Sequence, residues 1–189
     1  THILIGNVGS AMWRSFLAEN IDAPDPLDRW TRQVVEPIAE QFNAQALYAF
    51  EGPPYHPFQR WAMKAEAVFP SPIGPLIHPK FGLWHAYRAA LMFDRMIDLP
   101  IQEPAASPCE ACAEKPCLSA CPVEAFSTGR YDVPACVEHL ETPEGASCLN
   151  ESCAARRACP VRAQHCYTPE QSKHHMTAFL RAQTSQSKS

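Results

Sequence analysis

The amino-acid sequence predicts a mixed α/β (α+β) chain of two parts, a sheet-containing domain followed by a small cysteine-rich domain. Short apolar segments of strand type alternate with segments of helical periodicity in the first half of the chain. All nine cysteines lie between Cys109 and Cys166, and three prolines at 100, 104 and 108 separate the two parts. The predicted boundaries are 1–100 for the first domain, 101–108 for a Pro-rich linker, 109–168 for the cysteine-rich domain and 169–189 for a polar carboxy-terminal tail.

Composition and charge argue against several classes of protein. Hydrophobic residues make up 46% of the 189 residues, which is enough to bury a core. The formal net charge of −4, without a basic block, argues against a surface that binds nucleic acid by neutralising phosphates. No apolar run approaches the ~20 residues that cross a membrane. We therefore expect a soluble, cytoplasmic protein with neither a nucleic-acid nor a membrane partner.

The first domain is expected to open with a strand, a turn and a helix. HILIG at 2–6 is a short apolar run of strand type, and 11–20 predict a helix. A second helix is predicted to begin at Asp28, which would cap its amino terminus. Its expected buried positions recur about every 3.6 residues and are Trp30, Val34, Val35, Ile38 and Phe42.

Prolines and glycines divide the following residues into short elements. Residues 46–50 predict a buried strand that ends at Gly52, and 56–61 predict a short helix. Over 70–99 the prolines exclude one long helix, and periodicity alone does not decide the structure. The polar residues after Leu180 are expected to be frayed.

The cysteines form two runs that each end in a Cys-Pro pair. The first run has the pattern Cys109-x2-Cys112-x4-Cys117-x3-Cys121-Pro122. The second has the pattern Cys148-x4-Cys153-x5-Cys159-Pro160. Three thiolates on a tight loop can hold three irons of one cubane, while a fourth cysteine that precedes proline ligates a second cubane. This spacing predicts two [4Fe-4S] clusters whose runs exchange their last ligands.

The exchange assigns eight cysteines to the two clusters. The second run lacks a fourth cysteine of its own, so we assign Cys136 to complete it. Cluster 1 has the predicted ligands Cys109, Cys112, Cys117 and Cys159. Cluster 2 has the predicted ligands Cys121, Cys136, Cys148 and Cys153. Cys166 is left over.

Three other uses of the cysteines compete with this interpretation. A disulfide framework suits a secreted protein, but no secretion signal is visible and nine cysteines is an odd number. Structural zinc accepts eight thiolates in two sets, although zinc ribbons pair two CxxC elements and only one is present here. A redox-active dithiol at Cys109-x2-Cys112 would need a thioredoxin-like strand before it, where a Pro-rich segment stands instead.

Two clusters also need compensating charge and an apolar shield. Each oxidised cubane with four thiolates carries about −2, and Arg156, Arg157 and Arg162 flank the second run. A solvated basic face is the ordinary alternative for each arginine. The expected apolar wall consists of Val123, Ala125, Phe126 and Val161.

Four motifs of the cysteine-rich half are shared with one enzyme family. They are the CxxC at Cys109, the Cys-Pro-Val-Glu-Ala run from Cys121, the lone Cys136 within 131–139 and the late Cys159-Pro160. Together they resemble the dicluster domain of the epoxyqueuosine reductase family. In that family an isolated cysteine similar to Cys136 ligates the second cluster. The resemblance implies a small bacterial-ferredoxin-like domain with two [4Fe-4S] clusters.

The first half resembles the corrinoid-binding part of that reductase and of cblC-type cobalamin-processing proteins. The matching segments are 3–17, 55–58 and, above all, 77–88. The resemblance implies a nitroreductase-like, cobalamin-processing-type sheet domain that holds a corrinoid with its lower base displaced, with 83–92 as a strand. The implied corrinoid-contacting residues are His78, Lys80, Gly82 and Trp84.

Ordinary structural roles remain open for these residues. His78 and His85 can be satisfied histidines beside a turn. Tryptophans are more often part of a core than of a cofactor site. Arg88 can bind a corrinoid amide or phosphate, or form an ion pair with Asp94 or Asp98.

These features predict an iron-sulfur electron-transfer protein, an oxidoreductase, that delivers electrons to a corrinoid such as cobalamin. Reduction of a corrinoid needs low-potential electrons, which [4Fe-4S] clusters supply. The expected partner is an electron-donor protein or reductase, and a homodimer is expected by analogy with nitroreductase-like sheets. No catalytic residue can be named.

Two other functions remain open. One is a simple dicluster ferredoxin that docks a protein redox partner without a corrinoid, and the other is a zinc-stabilised interaction module. Because the chain is shorter than the reductase and lacks its helical-repeat region, direct action on tRNA is not expected.

Overall fold

A computed structural model describes residues 1–100, 102, 104–126 and 129–186. It shows a mixed α/β protein, 43% helical with small antiparallel sheets. The described residues form two compact units, the first from Thr1–Val68 and His85–Ala105, the second from Phe69–Trp84 and the chain from Ala106 onward. No helix among these residues is both long and apolar enough to cross a membrane.

The first unit is built on a three-stranded antiparallel sheet in the order β1-β5-β2. Its strands are β1 (His2–Val8), β2 (Gln45–Tyr48) and β5 (His85–Met92). The central strand β5 buries Ala89 and Ala90 completely, because small side chains there let neighbouring elements pack closely. The predicted strands at 2–6, 46–50 and 83–92 therefore form one sheet.

Three helices complete the first unit, namely α1 (Ala11–Ala18), α2 (Pro26–Phe42) and α3 (Phe58–Ala65). The prediction that α2 begins at Asp28 is wrong, because Pro26 with its fixed φ occupies the first turn. Asp28 lies inside that turn and pairs with Arg88 at 2.5 Å. Arg88 thus forms its ion pair with Asp28, whereas the sequence analysis named Asp94 or Asp98.

The buried face of α2 also differs from the prediction. The buried positions lie four residues apart and are Leu27, Thr31, Val35 and Ala39. Val34 is 41% exposed and Phe42 is 52% exposed. Apolar spacing alone did not distinguish the two neighbouring faces, because Thr31 is buried through the hydrogen bond that its hydroxyl donates to Leu27 O at 2.8 Å.

The described part of the second unit contains four short helices, one helix of 18 residues and one small hairpin. The hairpin pairs β3 (Phe69–Pro70) with β4 (Leu76–Ile77). The helices are α4 (Pro116–Ser119), α5 (Val133–Leu140), α6 (Ala146–Glu151), α7 (Ala154–Arg157) and α8 (Pro169–Gln186). The predicted polar tail at 169–189 is therefore a helix over most of its length, which buries Gln171 and Ser172. Of the predicted tail and linker, 187–189, Ile101 and Glu103 lie outside the described residues.

The core of the second unit joins the hairpin segment to the cysteines. Ile73, Ile77 and Leu83 pack in one cluster with four cysteine-region side chains, which are Cys117, Cys121, Phe126 and Cys159. Residues 69–84 thus belong to the compact unit of the cysteines, whereas the sequence analysis placed them in the domain 1–100.

Candidate metal centres

Four cysteines of the second unit surround a small cavity of about 20 Å³, which we call cavity 1. The four are Cys109, Cys112, Cys117 and Cys159. The first three come from one short segment that ends in α4, and the fourth precedes Pro160. Proline and aliphatic side chains form most of the remaining lining, together with Lys115. These are the four cysteines that the sequence analysis assigned to cluster 1.

Four further cysteines surround a second small cavity, also of about 20 Å³, which we call cavity 2. The four are Cys121, Cys136, Cys148 and Cys153. Cys136 lies on α5 and Cys148 on α6, while Cys153 caps α7. The structure therefore brings together the predicted ligands of cluster 2, including the isolated Cys136.

Each cysteine run contributes thiols to both cavities, and in each run the change from one cavity to the other occurs across a helix of four residues. Cys117 in α4 lines cavity 1, and Cys121, just past the end of α4, lines cavity 2. Cys153 at the start of α7 lines cavity 2, and Cys159, just past its end, lines cavity 1. In both runs proline after the last cysteine stops the helix from continuing. Each short helix thus supplies one thiol to each cavity.

The thiols of each cavity influence one another electrostatically. Burial raises the pKa of the Cys109 thiol, and Cys159 and Cys112 raise it further. In cavity 2, burial raises the pKa of the Cys136 thiol, and nearby Cys121 and Cys148 add to the rise. Four thiolates at either cavity are therefore unfavourable unless positive charge is bound among them.

Several groups donate hydrogen bonds to the sulfur atoms. The Ala125 N–H donates to Cys121 Sγ at 3.4 Å. The Tyr131 hydroxyl donates to Cys136, which lowers the pKa of that thiol against the effect of burial. Next to cavity 1, the Cys109 N–H donates to Ser107 Oγ at 3.3 Å, and hydrogen bonding with the Ser107 side chain lowers the pKa of the Cys109 thiol against the effect of burial. Such donors favour the charged form of sulfur.

The spacing of the thiols bears on which group they fit. No three His, Cys, Asp or Glu side chains among the described residues are grouped so that they could hold one metal ion. The thiols instead line two cavities, four to each. A [4Fe-4S] cluster contacts each of its four cysteines through a different iron, so it needs thiolates distributed around a space. The donor set, its number and its distribution fit such a cluster at both cavities.

The predicted corrinoid-contacting residues all lie in the second unit, and three of the four are buried there. His78 Nδ1 accepts a hydrogen bond from the Lys80 N–H at 2.8 Å. Gly82 has φ +63°, and a Cβ there would clash with the carbonyl oxygen of Val161, a residue that lines cavity 1. These contacts give His78 and Gly82 structural roles beside cavity 1.

Trp84 is packed between residues of the same unit. It is 1% exposed, its ring lies 5.3 Å from that of Tyr167, and the Arg156 guanidinium lies 4.5 Å from its centroid. Lys80 is the exposed member of the four.

The three arginines that were expected to offset cluster charge bind backbone carbonyls. Arg156 Nε donates to Leu83 O, Arg157 Nε to Ser152 O and Arg162 Nε to Pro79 O, each at 3.1 Å. Their guanidinium groups therefore tie segments of the second unit together. Three of the four residues of the expected apolar wall line the cavities, with Val123 and Phe126 at cavity 2 and Val161 at cavity 1, whereas Ala125 is buried but lines neither cavity.

Sequence reasoning gave no role to three polar residues, of which His139 lines cavity 2 while Ser107 and Tyr131 interact with Cys109 and Cys136. Ser107 lies two positions before Cys109, which is a signal that spacing could have given. Tyr131 and His139 are the ends of the segment 131–139 that contains Cys136, but that motif assigned no role to their side chains. Cys166 is exposed and lines neither cavity 1 nor cavity 2.

Comparison with protein-family models, curated proteins and solved structures gives no match for this chain.

Proposed function

We propose that the second unit binds two [4Fe-4S] clusters and that the protein transfers electrons through them. The observation that carries the proposal is the grouping of eight cysteines, four around cavity 1 and four around cavity 2. Bound clusters would supply one-electron chemistry. The unit would then be a variant of the bacterial-ferredoxin-like dicluster fold, and the first unit would be the nitroreductase-like part.

The residues of the chain would hold the clusters and set their surroundings. The thiols ligate, and the aliphatic and proline side chains of the lining keep water away. The Ala125 N–H and the Tyr131 hydroxyl donate hydrogen bonds to ligand sulfurs, which favours the reduced state because reduction adds negative charge.

Metal analysis of anaerobically purified protein tests the proposal directly. We expect a brown protein with about eight iron and about eight sulfide per chain. Cys166→Ser, which leaves both cavities unchanged, is the matched control and should give the same content. A colourless protein with two zinc and no sulfide would replace the redox function with the zinc-stabilised interaction module.

A corrinoid is the electron acceptor that we propose for this protein. The support is the sequence resemblance over 77–88 and the need of corrinoid reduction for low-potential electrons. Titration of the iron-loaded protein with cobalamin should produce the spectral shift of a displaced lower base. The absence of a shift at saturating cobalamin would favour the simple dicluster ferredoxin.

Burial determines which of the four predicted corrinoid-contacting residues can be changed informatively in that titration. His78, Gly82 and Trp84 are buried in the second unit, so changing them would also disturb the cysteines. Lys80 is exposed, and Lys80→Ala should weaken corrinoid binding while iron content stays unchanged.

A further inference from the structure

We propose that His139 is a positioning residue of cluster 2, to which its Nε2 donates a hydrogen bond. The inference rests on the proposed function. His139 lines cavity 2, and its Nε2 atom is buried without a hydrogen-bond partner in the part of the chain that the structure describes. A buried polar atom that lacks a partner loses its hydration without compensation, which destabilises the folded protein. A group bound in cavity 2 would remove that destabilisation.

The position of His139 is fixed by the backbone around it. Cys136 and His139 lie three residues apart on α5, so both side chains project from the same face of the helix. The Thr142 hydroxyl donates to His139 O at 2.8 Å. A Cβ at Gly145 would clash with that same carbonyl oxygen, so the chain approaches His139 as closely as glycine permits. These contacts fix the backbone of His139, and with it the position of the residue at the wall of cavity 2.

The chemistry of cavity 2 indicates what the imidazole would bind. Apart from the cysteines and His139, its lining side chains are apolar, namely Pro122, Val123, Phe126, Leu140, Ala154 and Met176. Sulfur is consequently the acceptor that the cavity offers to an Nε2–H donor. Cavity 1 has no histidine in its lining. The donor would thus act on cluster 2 and leave cluster 1 unaffected.

A hydrogen bond to sulfur stabilises the state with more negative charge, so it raises the reduction potential of the cluster. Removing one such bond should lower the equilibrium constant for reduction of cluster 2 by up to about tenfold. For a one-electron couple, tenfold is about 59 mV. The potential of cluster 1 should stay the same.

The experiment is a redox titration of the iron-loaded protein, followed by EPR, for four variants. His139→Leu removes the donor, whereas His139→Gln keeps an N–H at a similar distance from the backbone. Tyr131→Phe removes a donor to Cys136 and identifies the couple of cluster 2, and Ser107→Ala identifies the couple of cluster 1. We expect His139→Leu to lower the reduction potential of the same cluster whose potential Tyr131→Phe changes. His139→Gln should restore most of the wild-type potential.

Three results would overturn the inference. His139→Leu could leave the reduction potentials of both clusters unchanged. It could also change the potential of the cluster that responds to Ser107→Ala. Loss of about four irons from both His139→Leu and His139→Gln would make His139 a ligand or a purely structural residue. Failure of the proposed function looks different, because wild-type protein would then lack iron and sulfide.

Discussion

Cavity 1 and cavity 2 are each lined by four cysteines, but they are built from different kinds of structure. Cavity 1 takes three thiols from one short segment, and prolines form much of its wall. Cavity 2 takes its thiols from α5, from α6, from the start of α7 and from Cys121 just past α4, and its wall includes Met176 of α8. One site thus depends on loop conformation and the other on helix packing. The same number of ligands can be assembled by either route.

The largest expected effect comes from breaking one ligand set at a time. Cys109→Ser and Cys159→Ser should each remove about four irons, and both should remove the same cluster although the residues are far apart in sequence. Cys121→Ser and Cys148→Ser should both remove the other cluster. Each loss should also destabilise the second unit, because metal binding there contributes to folding. Iron analysis and EPR of the remaining cluster measure this.

The pairing fails if the variants group by sequence run. In that case Cys159→Ser would match Cys148→Ser, and Cys121→Ser would match Cys109→Ser.

Two glycines allow each cavity to be disturbed without touching a thiol. Gly82→Ala would force a Cβ against Val161 at cavity 1 and would place alanine at φ +63°. It should therefore lower the free energy of unfolding by about 2–4 kcal/mol. Gly145→Ala would push against His139 at cavity 2 and should cost about 1–3 kcal/mol. Denaturant unfolding of the iron-loaded protein gives both values.

Gly74→Ala is the matched control for Gly82→Ala. Gly74 has φ +99°, but a Cβ there would meet no atom within 4 Å, so only backbone strain remains. Equal losses for Gly74→Ala and Gly82→Ala would show that the close approach to Val161 contributes nothing.

The cysteine sites were largely predictable from sequence, whereas their surroundings were not. The spacing of the cysteines and the Cys-Pro pairs are local features of the sequence, so the grouping of the thiols around two cavities could be predicted from them. No local sequence pattern indicates which hydrophobic core a short hairpin joins. Ile77 and Leu83 were therefore assigned to the first domain, although they pack with the cysteines. Helix α8 is polar over most of its sequence, so it resembled a tail, yet it buries Gln171 and Ser172 and places Met176 in the wall of cavity 2.

The pKa shifts of the thiols predict opposite pH behaviour for iron-free and iron-loaded protein. Burial raises the pKa of Cys109, Cys117, Cys136 and Cys153 above their usual range, to which they return on unfolding. The folded iron-free protein therefore binds more protons than the unfolded chain, and its free energy of unfolding should fall as pH rises above about 8.5.

Ligated thiolates do not titrate, so the iron-loaded protein should not show this fall. Urea unfolding between about pH 7.5 and pH 9.5, below the usual pKa of tyrosine, measures the difference. Parallel curves for both forms would contradict the prediction.

The smallest expected effect belongs to the ninth cysteine, which neither cavity uses. Cys166 is exposed and follows a 3₁₀ turn at Ala163–His165. It is not among the residues that line cavity 1 or cavity 2. Cys166→Ser should therefore keep full iron and sulfide, both potentials, and stability within about 0.5 kcal/mol. Cys136→Ser is the matched comparison, because Cys136 is also isolated in sequence yet lines cavity 2. Loss of iron from Cys166→Ser together with full iron in Cys136→Ser would exchange their roles, and cavity 2 would then need a ligand from outside its lining.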